Sequence, residues 1–275
     1  MTVNQHDFLK GRHKNLLLAI AVLAILTAVG CGDGGFNYSS SDEPIETHQN
    51  SFDVGGSPSL FVVSFNGGIT IEASTDGTIT VMATIRRADK VEYRIKQEGD
   101  TITVVADRTE RTTGESPGAE IVVSVPASTR VKLDTTNGAI VVRGTLRSGD
   151  IKTSNGLIEL TDVEGTFVAD TSNGLIAIRG IVGNVNLETT NGNIEFSGEL
   201  TPGGRNDIRT NNGSIDIVLR GTPSVEVDAT TRNGTIKSDV PIRTSSTKST
   251  SLQGTIGSGA ADLRIDTSNG SIIIR

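Results

Sequence analysis

Carboxylates are the side chains best able to do chemistry in this chain, and they fall in columns. Written in steps of 18 to 21 residues, Asp134, Lys152, Asp170, Glu188, Arg209 and Asp266 share one repeating position. Glu159, Glu195, Asp216 and Lys237 share another. Two carboxylates about 5–10 Å apart in a cleft are what glycosidic hydrolysis requires, so a polysaccharide-active enzyme is one reading. The alternation of acid with base equally suits charge pairing between neighbouring strands, with Lys152 between Asp134 and Asp170 and Arg209 beside Glu188. Each such pair contributes roughly 0.2–1 kcal/mol. Asp170 and Glu188 are the one like-charged neighbouring pair. A calcium ion could bridge them, because it accepts several oxygen ligands, but the calcium-binding nonapeptide repeat is absent. The expected role of these columns is a solvated face, with no metal.

Other catalytic chemistry has little to work with. The histidines are His6, His13 and His48, and the single cysteine is Cys31. Residues 52–275 therefore offer no His base, no Cys nucleophile, no Ser-His-Asp arrangement and no usual zinc or copper ligands. No glycine-rich piece ends in the Gly-Lys-Ser/Thr of a phosphate loop. Twenty-five basic against 32 acidic residues, a net charge of −7, disfavour nucleic acid as a partner. Aromatic residues make up 3% of the chain, too few to offer sugars a stacking surface. The sequence assigns no catalytic residue and no cofactor, and the protein reads as a non-enzyme.

The elements that carry these columns are written as a repeat. Asn-Gly recurs at Asn137-Gly138, Asn155-Gly156, Asn173-Gly174, Asn191-Gly192, Asn212-Gly213, Asn233-Gly234 and Asn269-Gly270. Three positions after each Asn stands an isoleucine, from Ile140 and Ile158 to Ile272, and two positions before it a threonine, from Thr135 and Thr153 to Thr267. Apolar residues alternate on both sides of the pair, the period-2 pattern of strands with one buried face. Asn and Gly tolerate positive φ, so each pair predicts a sharp turn. A second glycine column, Gly144, Gly180, Gly198 and Gly221, predicts another corner. The 36-residue gap before Asn269 predicts a degenerate copy at Gln253–Ile256.

Asn-Gly also marks β-hairpins. A roll of hairpins, however, gives no reason for one isoleucine column at a steady 18-residue beat, whereas coils stacked at about 4.8 Å do. A left-handed helix would need a six-residue apolar beat, which Ile140, Leu146 and Lys152 break. The expected fold is all-β, a right-handed parallel β-helix of about 18-residue coils with an N-terminal β-rich cap.

Residues 1–30 read as a targeting segment, with a basic patch at Lys10, Arg12, His13 and Lys14 followed by an apolar run, Leu16 to Gly30, too short to span a bilayer. The run ends in Ala28-Val29-Gly30-Cys31, which resembles the lipobox of bacterial lipoproteins, though Ala28 stands where Leu is usual. That resemblance implies lipid attachment at Cys31 and a membrane as partner. Ordinary signal-peptidase cleavage is the alternative, but a lone thiol in an oxidising compartment is a liability unless it has a use. Asp33 is not adjacent to the cysteine, so the enterobacterial inner-membrane retention signal is lacking, and the outer membrane or cell surface is favoured over a periplasm-facing location.

Residues 31–51 read as a flexible tether with a typical reach of about 25 Å. Residues 52–128 read as early coils and a β-rich cap, and residues 129–275 as the coil array, continuous with them in one domain. No cap is visible after Arg243–Ser251, and the final strand, Ile272 to Arg275, reads as an uncovered apolar edge through which copies of the chain could self-associate.

The repeated Thr-[Thr/Ser]-Asn-Gly-x-Ile coils, after a lead-in ending at Val125-Pro126, resemble the bacterial putative-adhesin family, a β-strand-repeat domain of unknown function. The resemblance covers about residues 55–275 and implies a β-helix exposed in the cell envelope, with no catalytic residues to carry over. The function it suggests is a lipid-anchored adhesin or surface scaffold that contacts a protein or glycan surface. A periplasm-facing lipoprotein in envelope assembly or stress sensing is the other non-enzymatic reading.

Overall fold

The computed structural model describes residues 44–110, 116–144 and 146–275. The targeting segment, Cys31 and the tether up to residue 43 lie outside the described residues. β1 (Ile45–Asp53), β2 (Ser59–Asn66), β3 (Ile69–Ser74) and β4 (Thr78–Arg86) come first. After a 3-10 turn at Ala88–Lys90 follow β5 (Val91–Glu98), β6 (Thr101–Arg108) and β7 (Gly118–Pro126). The Asn-Gly copies then supply β8 (Arg130–Asn137), β9 (Ile140–Arg143), β10 (Ser148–Asn155), β11 (Ile158–Thr161), β12 (Glu164–Asn173), β13 (Ile176–Asn191), β14 (Ile194–Leu200), β15 (Arg205–Asn212) and β16 (Ile215–Leu219). The remaining strands are β17 (Val225–Asn233), β18 (Ile236–Ser238), β19 (Arg243–Lys248), β20 (Ser251–Ile256), β21 (Ala261–Asn269) and β22 (Ile272–Ile274).

In a hairpin roll the strands flanking each Asn-Gly would pair with one another. Here each strand pairs in parallel with its counterpart in another copy, the arrangement of a β-solenoid-type fold. Before the turn, Leu133, Ile151, Ala169, Leu187 and Ile208 stand in register along β8, β10, β12, the second half of β13 and β15. After it, Ile140, Ile158, Ile176, Ile194 and Ile215 do the same along β9, β11, the first half of β13, β14 and β16. These ten side chains are buried at 0–1% exposure, so the strands before the turn and those after it, called here the first and second sheet although they join through β13, each turn an apolar column to the interior.

At both ends the order of the rungs departs from the order of the chain. The rung β2–β3 lies between β6–β7 and β8–β9. The rung β21–β22 lies between β15–β16 and β17–β18. Antiparallel strands cover the outer rungs: β4 on β7, β1 on β4 and β5 on β6 at one end, β20 on β17 and β19 on β20 at the other.

Five expectations change accordingly. The Gln253–Ile256 segment is not a coil, because β20 runs antiparallel to β17 and β19. The far end does carry a cap, and Arg243–Lys248, read as irregular, is one of its strands. The final strand is not an edge: β22 is paired on both sides, to β16 and β18, so self-association through that edge loses its basis. The strand β1 begins inside the stretch read as tether, pairing with β4 from Ile45 onward. His48 thereby belongs to the folded body, its ring stacked 5.0 Å from that of Tyr93.

Among the described residues one amide side chain is buried in the core, for a structural reason. Between β14 and β15 the step lengthens to 21 residues, and backbone pairing of β13 with β15 begins only at Asn186 and Asp207. Asn206, 3% exposed, fills the gap. Its Oδ1 accepts the Val185 N–H at 2.9 Å, and its Nδ2 donates to the Asp262 carbonyl at 3.0 Å. Asn206→Leu leaves both groups without a partner in the interior. It is expected to lower unfolding stability by about 2–4 kcal/mol, read from the denaturant midpoint at unchanged slope.

Candidate functional site

Two surfaces could meet a partner: the edge formed by the Asn-Gly turns, and the outward columns of the two sheets. At the edge the asparagines form a continuous ladder. The Nδ2 of Asn155, Asn173 and Asn191 donates to the Oδ1 of Asn137, Asn155 and Asn173 in turn, each at 2.9 Å. Asn212, Asn269 and Asn233 extend it at 2.8 Å per step, in rung order rather than chain order. Beneath it the buried threonines donate to glycine carbonyls of the neighbouring rung, as from Thr153 to Gly138 at 3.1 Å and Thr171 to Gly156 at 3.2 Å. These side chains are therefore engaged with one another, as expected of stacked asparagines.

Glycine in the Asn-Gly column is required for a different reason than the one expected. At Gly174 an ideal Cβ would collide with the Gly156 carbonyl oxygen, and at Gly156 with that of Gly138. Neither glycine takes a positive φ. Close approach of stacked backbones, not turn conformation, demands glycine there. Positive φ belongs instead to the second corner, at Gly144 (91°), Asp162 (54°) and Gly180 (75°). Asp162 serves where a glycine is missing, since a short polar side chain tolerates that region.

On the first sheet the acidic column stands in the expected register from Asp134 to Arg209, Asp134 beside Lys152, Lys152 beside Asp170, Asp170 beside Glu188 and Glu188 beside Arg209, while the out-of-order rung places Asp266 next to Arg209. The pairing differs from expectation. Arg209 bonds Asp207 on its own strand rather than Glu188, and Arg264 bonds Asp266 at 3.3 Å. Among the described residues no ion pair joins Lys152 to Asp134 or Asp170. A neighbour two residues along one strand lies on the same face, and here the arginines reach it in preference to the next rung. Asp170 and Glu188 are flanked in register by Lys152 and Arg209, so no third carboxylate adjoins them. Among the described residues no group of three or more His, Cys, Asp or Glu side chains could hold a metal ion.

On the second sheet, cross-rung pairing does form. Arg179 reaches Glu159 at 3.2 Å and Glu195 at 3.3 Å, on the two sides of the small Ala177 that separates them in register. Arg275 holds both oxygens of Asp216 at 2.5 Å, and Arg220 donates to the Ser197 hydroxyl at 2.6 Å. Together they line an open groove of about 290 Å³ with Phe196 and Val218 in its wall. Glu195 and Asp216 are the paired carboxylates a glycosidase would need, adjacent in register. Each is paired with a guanidinium, Glu195 with Arg179 and Asp216 with Arg275. His48 and Tyr93 lie at the N-terminal cap, away from this groove. The Tyr93 hydroxyl is buried without a hydrogen-bond partner, and burial raises its pKa above the usual phenol value. Sequence reasoning missed this stack because His48 was placed in the tether.

A solenoid of stacked Asn-Gly turns with charged outward columns defines a repeat protein whose surface, rather than a cleft, faces its surroundings. The model of the Toastrack DUF4097 family, a domain of unknown function, matches residues 127–275, more than half of the chain, and the protein belongs to that family. Among solved structures, a putative adhesin from Bacteroides fragilis is 12% identical, over 84% of this chain and 97% of that one, with a TM-score of 0.41. A putative cell adhesion protein from Clostridium sporogenes is 9% identical, over 84% and 99%, with a TM-score of 0.38. A putative lipid binding protein from Parabacteroides distasonis is 11% identical, over 83% and 97%, at 0.32. At such scores neither fold detail nor function carries over. No curated protein matches the chain.

Proposed function

We propose that this protein is a non-enzymatic, lipid-anchored component of the bacterial cell envelope. In this reading a right-handed parallel β-helix of about 18-residue coils acts as an interaction scaffold or adhesin. The observation that carries the reading is the second sheet's outward face. Its carboxylates are bound by arginines across rungs, Glu159 and Glu195 by Arg179 and Asp216 by Arg275, which gives an open polar surface suited to a macromolecular partner. The lipobox-like Ala28-Val29-Gly30-Cys31 supports an anchor at Cys31, and the segment up to the first strand supplies reach from the membrane. A protein or glycan surface outside the cell is the partner this arrangement fits.

Protease treatment of intact cells, followed by blotting for the folded body, tests the reading. Loss of the band without lysis is the expected result, together with release of a Cys31→Ser variant from the membrane fraction. Full protection until lysis would remove the adhesin reading and direct the search to periplasmic partners by crosslinking.

A further inference from the structure

The rung β21–β22 is held by two rungs that precede it in the chain and are not paired with each other. On one side β21 runs in register with β15, Ile208 beside Ile265 and Asn212 beside Asn269; on the other it runs with β17, Ala229 beside Ile265 and Asn233 beside Asn269. The strand β22 is likewise shared between β16 and β18. Without this rung, β15–β16 and β17–β18 present facing, unpaired strand edges around a slot one rung wide. Everything that lines the slot is specific to a rung of this register. Thr267 donates to the Gly213 carbonyl at 2.9 Å, and Thr231 donates to that of Gly270 at 2.8 Å. Asn269 closes the ladder between Asn212 and Asn233. Leu263, Ile265, Ile272 and Ile274 complete the core at 0–1% exposure.

The segment that delivers this rung is short. The strands β20 and β21 both pair at Val225, on opposite sides of β17, with Ile256 and Ala261 as its partners. Residues 257–260 must therefore arch over the start of β17, a separation of two strand spacings, about 9.5 Å. Gly257 and Gly259 take φ of 63° and 74° to make the arch. Ser224 pins it, its Oγ accepting the N–H of Ser258 at 3.2 Å and of Ala260 at 3.1 Å. A short hinge that delivers a whole element into a slot can deliver it to the same slot of a second copy.

We propose that residues 261–275 are a donor rung, and that the slot between β15–β16 and β17–β18 accepts it from a second copy of this chain as well as from its own. Main-chain pairing on both sides supplies affinity, as in strand addition generally. The asparagine, threonine and isoleucine columns fix the register. Reciprocal exchange gives a closed dimer in which each rung keeps its native neighbours.

Deleting Ser258 and Gly259 tests this in the full chain. The two remaining hinge residues reach at most roughly 10–11 Å fully extended, enough for the straight-line gap but not for the arch over Ser224. The expected product is a discrete dimer of doubled mass by light scattering, with the parent's cooperative unfolding. A folded monomer would overturn the proposal. A second variant carries a protease site between Ser258 and Gly259 in the otherwise intact chain. It is cut while folded, released from its own fragment by mild denaturant, and refolded with a tenfold excess of labelled peptide 259–275. Uptake of the label is the expected result, and failure to take it up overturns the proposal even if the deletion variant precipitates.

Discussion

Gly174→Ala is expected to lower the stability of the folded protein by about 3 kcal/mol, at the upper end of what overpacking usually costs. The added methyl has nowhere to go, because it points at the Gly156 carbonyl of the neighbouring rung. That rung cannot retreat either. Gly156 is itself stacked on Gly138, and the spacing between its rung and that of Gly174 is held by backbone bonds such as Gly156 N–H to the Asn173 carbonyl at 3.2 Å. For a body of this size the change corresponds to a melting shift of roughly 6–12 °C. Gly77→Ala is the control: its Cβ would meet nothing within 4 Å, and a shift within about 0.5 kcal/mol is expected. Gly174→Asn separates the two explanations for glycine. Were positive φ the requirement, Asn would be tolerated better than Ala; under close approach Asn is no better. A melting curve for Gly174→Ala that overlays the parent's would remove the close-approach account.

The isoleucine and threonine columns were legible in the sequence because they repeat what every rung needs, and a rung's interior is a local property. The place of a rung in the stack is not local. Thr267-Ser-Asn-Gly270 carries the same signals as Thr210-Asn-Asn-Gly213, so nothing in either stretch says that Asn269 stacks between Asn212 and Asn233. The 36-residue gap suggested two sequential steps, while the intervening chain folds back as β19 and β20. The strand β1 escaped notice for a related reason: as an outermost strand it half-buries only His48, Asn50 and Phe52, and its composition reads as linker. On the charged faces the alternation fixed which residues are neighbours, but not which acid an arginine chooses. Arg209 turns to Asp207 on its own strand, whereas Arg179, beside the small Ala177, spans two rungs.

Phe167→Ala is expected to cost about 3–5 kcal/mol, the range for emptying a phenylalanine site in a core that collapses only in part. Phe167 is fully buried, and its ring occupies space that the neighbouring rung gives up. Gly149 stands beside it in register, and an ideal Cβ there would lie 2.7 Å from Cδ1 of the ring. The two positions thus share one volume, large in one rung and absent in the next. Gly149→Ala should destabilise by about 1–3 kcal/mol through overpacking, because the ring is held on its other side by Val185, which is 1% exposed. Joining Gly149→Ala with Phe167→Leu returns a methyl to one rung as bulk leaves the other. The double variant should therefore be more stable than the sum of the singles predicts, with a coupling of about 0.5–3 kcal/mol. Denaturant unfolding of the four proteins measures that coupling. Additivity would mean that the rungs relax independently, and that the core is a stack of separable layers rather than one interlocked filling.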